Sequence, residues 1–289
     1  MNLKEHIKML ISDKVYLRYL YKKHMGKRLN LSNPQTFNEK LQWLKLYNRK
    51  PEYTQMVDKY EVKKYVAEKI GEEYIIPTLG VWDKFEDINF DKLPNQFVLK
   101  CTHDSGGLII CKDKSIFDFE QAKKKIEKSL ERNYFYVGRE WPYKNVKPRI
   151  LGEKYMEDTE TRELRDYKFF CFDGYVDNVM IVTNRFKSGV EYYHFDKEWR
   201  LRKQYNRNCR TLPADFNIPK PLEMDYMFKL ASKLSRGFPH IRIDFYLVNN
   251  KIYFGEFTFF NQSGFDTDLE LEADLHMGAL IKLPNKNII

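Results

Sequence analysis

The feature that most limits the fold is a pair of apolar runs, residues 240–247 and 251–260, separated only by Val248-Asn249-Asn250. A parallel crossover needs a dozen or more connecting residues, so these two strands must form an antiparallel hairpin. The same economy appears upstream, where Phe97–Cys101 and Leu108–Cys111 flank a turn of small and polar residues at 102–107. Further β-like runs occupy 149–156, 166–172, 175–183 and 191–196, while 74–76 and 79–82 read as extended chain broken by Pro77 and Gly80. Aromatics make up 16% of the chain, which suits strand-rich packing. Helical patterns stand between the strands. Thr36-Phe37-Asn38-Glu39 has the capping-box form and precedes an apolar stripe of Phe37, Leu41 and Leu44. A second helix opens near Asp58 and Glu61, buries Val62, Tyr65, Val66 and Ile70, and ends at Gly71. Residues 119–133 and 221–238 give two more. The expectation is an α+β fold with antiparallel sheets. It comprises a helical N-terminal region at 1–55, a linker helix with short strands at 56–95, and a main domain at 96–289.

Charge narrows the functional classes. Lys and Arg number 50 against 41 Asp and Glu, a net charge of +9, but the signs are interleaved almost throughout. A nucleic-acid binder concentrates its cations on one stripe, so no nucleic-acid partner is expected. The densest basic stretches are 22–28 and 200–210; the second, beside Trp199 and Tyr205, reads either as a polyanion patch or as a solvated loop. At the N-terminus Leu3, Ile7, Leu10 and Ile11 recur at helical spacing among Lys4, Lys8 and Lys14. Such a segment either lies on an anionic membrane surface, giving peripheral contact, or packs on its own domain. The charges interrupt any secretory apolar core, and no run reaches the roughly 18 apolar residues that span a bilayer. Cys101, Cys111, Cys171 and Cys209 are far apart and form no C-x-x-C, as in a reduced cytoplasmic protein. The sequence lacks G-x-G-x-x-G, the P-loop, H-E-x-x-H and G-x-S-x-G, which removes Rossmann, zinc-peptidase and acyl-serine chemistry.

What remains is distributed. Lys100 ends a strand ahead of Ser105-Gly106-Gly107, whose backbone N–H groups could approach a phosphate; an ordinary hairpin turn has the same composition. Arg242 and Asp244 share one face of their strand, and Glu256 lies on the partner strand. Two neighbouring carboxylates repel unless a cation lies between them. The group is therefore either a salt-bridge cluster or a site for Mg²⁺ shared with substrate phosphates.

The order of these pieces, with the phrases FNEKLQWLKLY, LPNQFVLKCTHDSGG, WPYKNVKPRILGEKYMED, RDYKFFCFDG and IRIDFYLVNNKIYFGEFTF, resembles the ATP-grasp superfamily, in its TupA-like (teichuronopeptide-biosynthesis) branch. The resemblance implies an ATP-grasp fold, two α+β subdomains clasping the nucleotide, with ATP and Mg²⁺ as cofactors. It implies that Lys59 and Lys100 hold phosphates and that Ser105, Gly106 and Gly107 close over them. Glu153, Lys154 and Met156 become the hinge at the adenine. Arg242 contacts the phosphoryl group in flight, Lys168 adds a cation, and Asp244, Glu256 and Thr258 stand at the metal. One departure is visible: Glu256-Phe257-Thr258 replaces the usual Glu-x-Asn, and Asn261-Gln262 replaces the Pro-Gly that follows. The implied activity is carboxylate–amine ligation through an acyl phosphate. The carboxylate would belong to a uronic acid or amino acid of a surface polysaccharide, with an amine or amino acid as partner. Three other readings stand beside it. Asp266-Thr267-Asp268 has the spacing of a sugar-nucleotide glycosyltransferase, though an acidic loop or helix start shares it. A sugar kinase would use the same ATP residues. A non-enzymatic scaffold, anchored by the N-terminal helix, would use none of them.

Overall fold

A computed structural model of the chain describes residues 10–159, 164–183, 189–213 and 215–286. The amphipathic pattern over Leu3 and Ile7, with Lys4 and Lys8, lies outside them. Contacts divide the chain into two compact units: Lys50–Arg162, and Met1–Arg49 together with Glu163–Ile289. The boundaries expected at 55 and 95 both fall inside the first of these. Among the described residues no helix is long and apolar enough to cross a membrane.

The Lys50–Arg162 unit is built on a four-stranded sheet of β1 (Thr78–Trp82), β2 (Phe97–Cys101), β3 (Leu108–Cys111) and β4 (Ile150–Lys154), in the order β1-β4-β2-β3. Its core joins Phe97, Leu99 and Cys101 of β2 to Ile150 of β4 and to Ala122 and Ile126 of a covering helix, Phe119–Leu130. That helix starts where the Asp118 carboxylate accepts the Gln121 N–H at 2.9 Å. A second helix, Glu61–Ile70, buries Val62 and Val66; the Asp58 carboxylate accepts its first N–H groups, from Tyr60 at 2.8 Å and Glu61 at 3.2 Å. The expected extended stretch at 74–76 begins instead as a 3-10 turn, Glu72–Tyr74.

The second unit carries β5 (Arg165–Phe172), β6 (Tyr175–Thr183), β7 (Glu191–Phe195), β8 (Ile241–Val248) and β9 (Lys251–Thr258), ordered β7-β6-β5-β8-β9. Every strand pairing among the described residues is antiparallel, as the short connections require. The β8–β9 turn consists of Asn249 and Asn250 at φ 49° and 60°, left-handed values that asparagine tolerates better than most residues. One sheet face is covered by the helix Met224–Leu234, where Phe228 meets Phe169 edge-on at 5.1 Å. Phe37 packs on Phe170 and Phe172 at 6.5 and 6.3 Å; it opens the helix Phe37–Tyr47. The capping box there is complete: Thr36 Oγ accepts the Glu39 N–H at 3.2 Å, and Glu39 accepts the Thr36 N–H at 3.3 Å. Such a cap stabilises by about 1 kcal/mol. A helix at Leu271–Leu280, unexpected beyond a possible helix start, packs against this N-terminus. Gly278 permits the approach, since a Cβ there would lie 2.2 Å from the Gln35 carbonyl oxygen.

Candidate active site

In the first unit, alternation along β2 sends Phe97, Leu99 and Cys101 to the core and Val98 and Lys100 to the other face. The β2–β4 register sets Glu153 opposite Val98 and Leu151 opposite Lys100, so Glu153 and Lys100 share that face. Lys100 Nζ lies 2.6 Å from Glu153 Oε2, and Lys63 Nζ, from the Glu61–Ile70 helix, lies 2.6 Å from Oε1. Lys63 also donates to the Ile76 carbonyl at 2.9 Å and to Thr78 Oγ1 at 2.8 Å. Burial alone would raise the Glu153 pKa, but Lys100 and then Lys63 hold it below the usual carboxylate range. Burial pushes Lys63 down, with Glu153 offsetting part of the effect. The cluster contains two ammonium groups against one carboxylate. On the same face Leu108 and Ile110 of β3, opposite Lys100 and Val98, leave exposed apolar surface.

The 102–107 turn is fastened at its base and open at its tip. Thr102, His103 and Asp104 are buried, whereas Ser105 and Gly106 are exposed. The Asp104 carboxylate accepts the Gly107 N–H at 3.3 Å and the Ser129 hydroxyl. Lys59 is held beside this turn, its backbone N–H donating to the Thr102 carbonyl at 3.1 Å and its Nζ donating to the Asp104 carbonyl. At the end of β4 the Lys154 N–H donates to the Pro77 carbonyl at 3.0 Å. That N–H is therefore committed within the sheet, and the partly buried Met156 follows two residues on.

The second unit places a row of charge across three strands. Lys168 of β5 opposes Asp244 of β8, which opposes Glu256 of β9; Arg242 opposes Thr258 one step along. A plain two-residue turn would instead carry the ladder to Asp244 opposite Gly255. The register shifts between Asp244 and Phe245, and this one-residue bulge at Gly255 brings Glu256 beside Asp244. Arg242 grips Asp244 with two bonds of 2.7 Å, from Nε to Oδ1 and from Nη2 to Oδ2. Its remaining contacts are Nη2 to Glu256 Oε1 at 3.2 Å and Nη1 to Asn261 Oδ1 at 2.7 Å. Lys168 Nζ bonds Asp244 Oδ2 and lies 2.6 Å from Asp166 Oδ2. Burial would raise Asp244, but Arg242 and then Lys168 hold it low. Conversely burial would lower Lys168, and Asp244 then Asp166 raise it.

These contacts make a direct test of the donor set against magnesium possible. Among the described residues three carboxylates, Asp166, Asp244 and Glu256, gather with two cations, Lys168 and Arg242. Glu256 is the most exposed of the three, at 39% of its side chain. Among the described residues no group of three or more His, Cys, Asp and Glu forms a self-sufficient metal cage. The donors are hard oxygens with part of a shell, which fits a Mg²⁺ whose other ligands are phosphate oxygens and water. Glu256 and the spare lone pairs of Asp244 are the residues that could hold it. Thr258 shares their face, while Asn261 has its oxygen turned to Arg242 and its amide N–H to Asp266 at 3.2 Å.

The sequence missed Lys63 and Asp166. Asp166 is two residues from Lys168 on the same face, a spacing that period-two alternation marks. Lys63 lies one helical turn beyond Lys59, but its meeting with Glu153 is a tertiary contact with no local signal. The basic stretch at 200–210 is largely tied down. Arg200 pairs with Asp196 at 2.8 Å, Arg210 with Glu270, and Lys203 donates to the Leu212 carbonyl at 2.8 Å. Asp266 is half-buried, its carboxylate accepting the Asp268 N–H at 3.0 Å and the Asn261 amide, whereas Asp268 is exposed.

Two antiparallel α+β units, each with a charged strand face, agree with the fold expected of an ATP-grasp protein. The family model for TupA-like ATP-grasp proteins matches residues 39–282, and the chain belongs to that family. ATP with Mg²⁺ is the cofactor pair that this membership brings. Similar solved structures include D-alanine–D-alanine ligase from Helicobacter pylori, at 17% identity and TM-score 0.43, covering 86% of this chain and 69% of that one. The ATP-grasp ligase PsnB complexed with its minimal precursor gives 9% identity and TM-score 0.44 over 80% of this chain and 61% of that one. D-cycloserine synthetase DcsG gives 13% and 0.42 over 80% and 70%. The chain thus spans about two thirds of the length of these proteins. No curated protein matches it.

Proposed function

We propose that the chain is an ATP-dependent carboxylate–amine ligase acting in the cytoplasm on a uronic acid or amino-acid substituent of a surface polysaccharide. The observations that carry the reading are a lysine-rich strand face in one unit and a strand face that sets Asp244 beside Glu256 in the other. A face with two ammonium groups to one carboxylate suits a polyphosphate, and neighbouring carboxylates suit a divalent ion. Lys59 and Lys100 hold the phosphates, and the open tip at Ser105 and Gly106 covers them, with Gly107 fastening the turn through its N–H to Asp104. Because the Lys154 N–H is spent on Pro77, adenine recognition at the hinge falls to the Lys154 carbonyl and to Met156. Glu153 serves chiefly to fix Lys100 and Lys63, both of its oxygens being engaged by them.

Asp244 and Glu256 hold the magnesium, with Thr258 at the edge of the site; the ion supplies charge neutralisation to the transferred phosphoryl group. Arg242, locked on Asp244, Glu256 and Asn261, orients the carboxylates and retains an Nη1 hydrogen for an oxygen of the moving group. Lys168 keeps Asp244 ionised. No side-chain nucleophile is required: the substrate carboxylate attacks the terminal phosphorus and ADP leaves, and the amine then attacks the acyl phosphate, losing a proton and expelling phosphate to form the amide.

A scan of uronates against amines, with ADP and phosphate release as readouts, tests the proposal. Release should depend on both substrates and on Mg²⁺. ADP release with a sugar but no amine would mark a kinase, and thermal stabilisation by Mg·UDP-sugar without stabilisation by Mg·ATP would overturn the ATP reading altogether.

A further inference from the structure

The helix Asp13–Met25 has two faces of opposite character. Tyr16, Leu17, Leu20 and Tyr21 are buried against its own unit. The other face carries Lys14, Val15, Arg18, Tyr19, Lys22 and Lys23, whose spacing makes one contiguous stripe. Val15 is 58% and Tyr19 61% exposed, and Leu10, just ahead of the helix, is 87% exposed. Among the described residues none of the four stripe cations is in an ion pair. The single acidic residue of the helix, Asp13, points elsewhere, to Arg49 at 2.6 Å. Past the left-handed Gly26 cap, Lys27 and Arg28 extend the exposed positive surface.

Folding explains little of this stripe. Lys22 and Lys23 suit the negative end of the helix dipole, but Lys14 stands in the first turn, at its positive end. Val15 and Tyr19 gain nothing from burial where they are. A solvated helix face ordinarily mixes both signs and places few large apolar side chains in water. We propose that this stripe docks the protein on an anionic lipid bilayer, Val15, Tyr19 and Leu10 entering the headgroup boundary while Lys14, Arg18, Lys22 and Lys23 meet lipid phosphates. A soluble polyanion would use the cations but has no use for the apolar residues between them. The inference rests on this surface alone and is independent of the proposed chemistry.

Sedimentation of the full chain with vesicles tests it. The chain should bind vesicles of phosphatidylcholine mixed with phosphatidylglycerol, and not vesicles of phosphatidylcholine alone. Binding should fall steeply with added salt. Each of Lys14→Ser, Arg18→Ser, Lys22→Ser and Lys23→Ser should weaken it roughly fivefold. The double variant Val15→Ser, Tyr19→Ser should weaken vesicle binding while leaving any binding to soluble polygalacturonate unchanged. Circular dichroism and thermal unfolding confirm that these surface variants remain folded. No vesicle binding by the native chain would overturn the proposal, as would vesicle binding indifferent to the apolar double variant.

Discussion

The two units solve one problem with opposite charges. In the first, Glu153 is clasped between Lys63 and Lys100, a carboxylate outnumbered by ammonium groups. In the second, among the described residues, Arg242 and Lys168 meet Asp166, Asp244 and Glu256. Both clusters lie on strand faces, and both bury a carboxylate almost completely, yet their depth differs. Glu153 keeps 6% of its side chain in water against 1% for Asp244, and its lysines keep 12% and 19% against 11% each for Lys168 and Arg242. A buried ion pair is costly to break because the survivor is left uncompensated, and the cost grows with burial. The difference teaches that the acidic cluster is the more rigid construction and the basic one the more adaptable.

The largest expected effect follows from that contrast. Asp244→Ala leaves Arg242 and Lys168 buried without the carboxylate that both of them bond, and should destabilise the protein by about 3–5 kcal/mol in urea unfolding. Glu153→Gln leaves two lysines that can reach water and should cost less, about 2 kcal/mol. The reverse ranking would break the comparison. Both variants should lose ADP release, Asp244→Ala at all magnesium concentrations and Glu153→Gln mainly through a higher KM for ATP.

A third expectation concerns pH, where the same two carboxylates stand against Asp266. Asp244 and Glu153 have lowered pKa values, so the stability they contribute is present above their unfolded values and is lost as pH falls through the folded ones. Asp266 is the opposite case. Burial pushes it up to about 6 from an ordinary value near 4, so the folded state favours its protonated form. Its contribution is fully present at low pH and is lost as pH rises through about 6. Relative to the native protein, Asp266→Asn should therefore gain about 2 kcal/mol between pH 4 and pH 7, read from unfolding at each pH. A constant difference across that range would show that folding leaves the Asp266 pKa at its ordinary value.

Much of this architecture is legible in the chain. The capping box at Thr36, the β2–β3 hairpin and the Asn249-Asn250 turn are local decisions, made by residues a few positions apart. What is not legible is long-range. Asn38 joins the C-terminal helix through bonds of 2.9 and 3.0 Å to Asp274, 236 residues away, and no local pattern announces that residues 1–49 belong with 163–289. Lys63 and Glu153 likewise meet only in the folded unit. The placement of Glu256 is intermediate. Ile252 and Phe254 are buried, then Phe257, a one-residue slip in period-two alternation that marks the bulge for a reader who counts it.

That slip gives the smallest and most pointed test. A Cβ on Gly255 would lie 3.0 Å from the Tyr246 ring and 3.1 Å from the Asp244 backbone oxygen. The ring can turn aside, but the carbonyl cannot give way without moving Asp244 and its bonds to Arg242. Gly255→Ala should consequently cost only about 1 kcal/mol in stability. It should also raise severalfold the magnesium concentration needed for half-maximal ADP release, because it displaces Asp244, proposed to hold the metal, and leaves the lysine face of the first unit untouched. KM for ATP at saturating magnesium should stay near that of the native chain. If stability falls while the magnesium dependence is unchanged, Gly255 shapes the sheet without positioning the acidic cluster, and the magnesium role given to Asp244 and Glu256 loses its support.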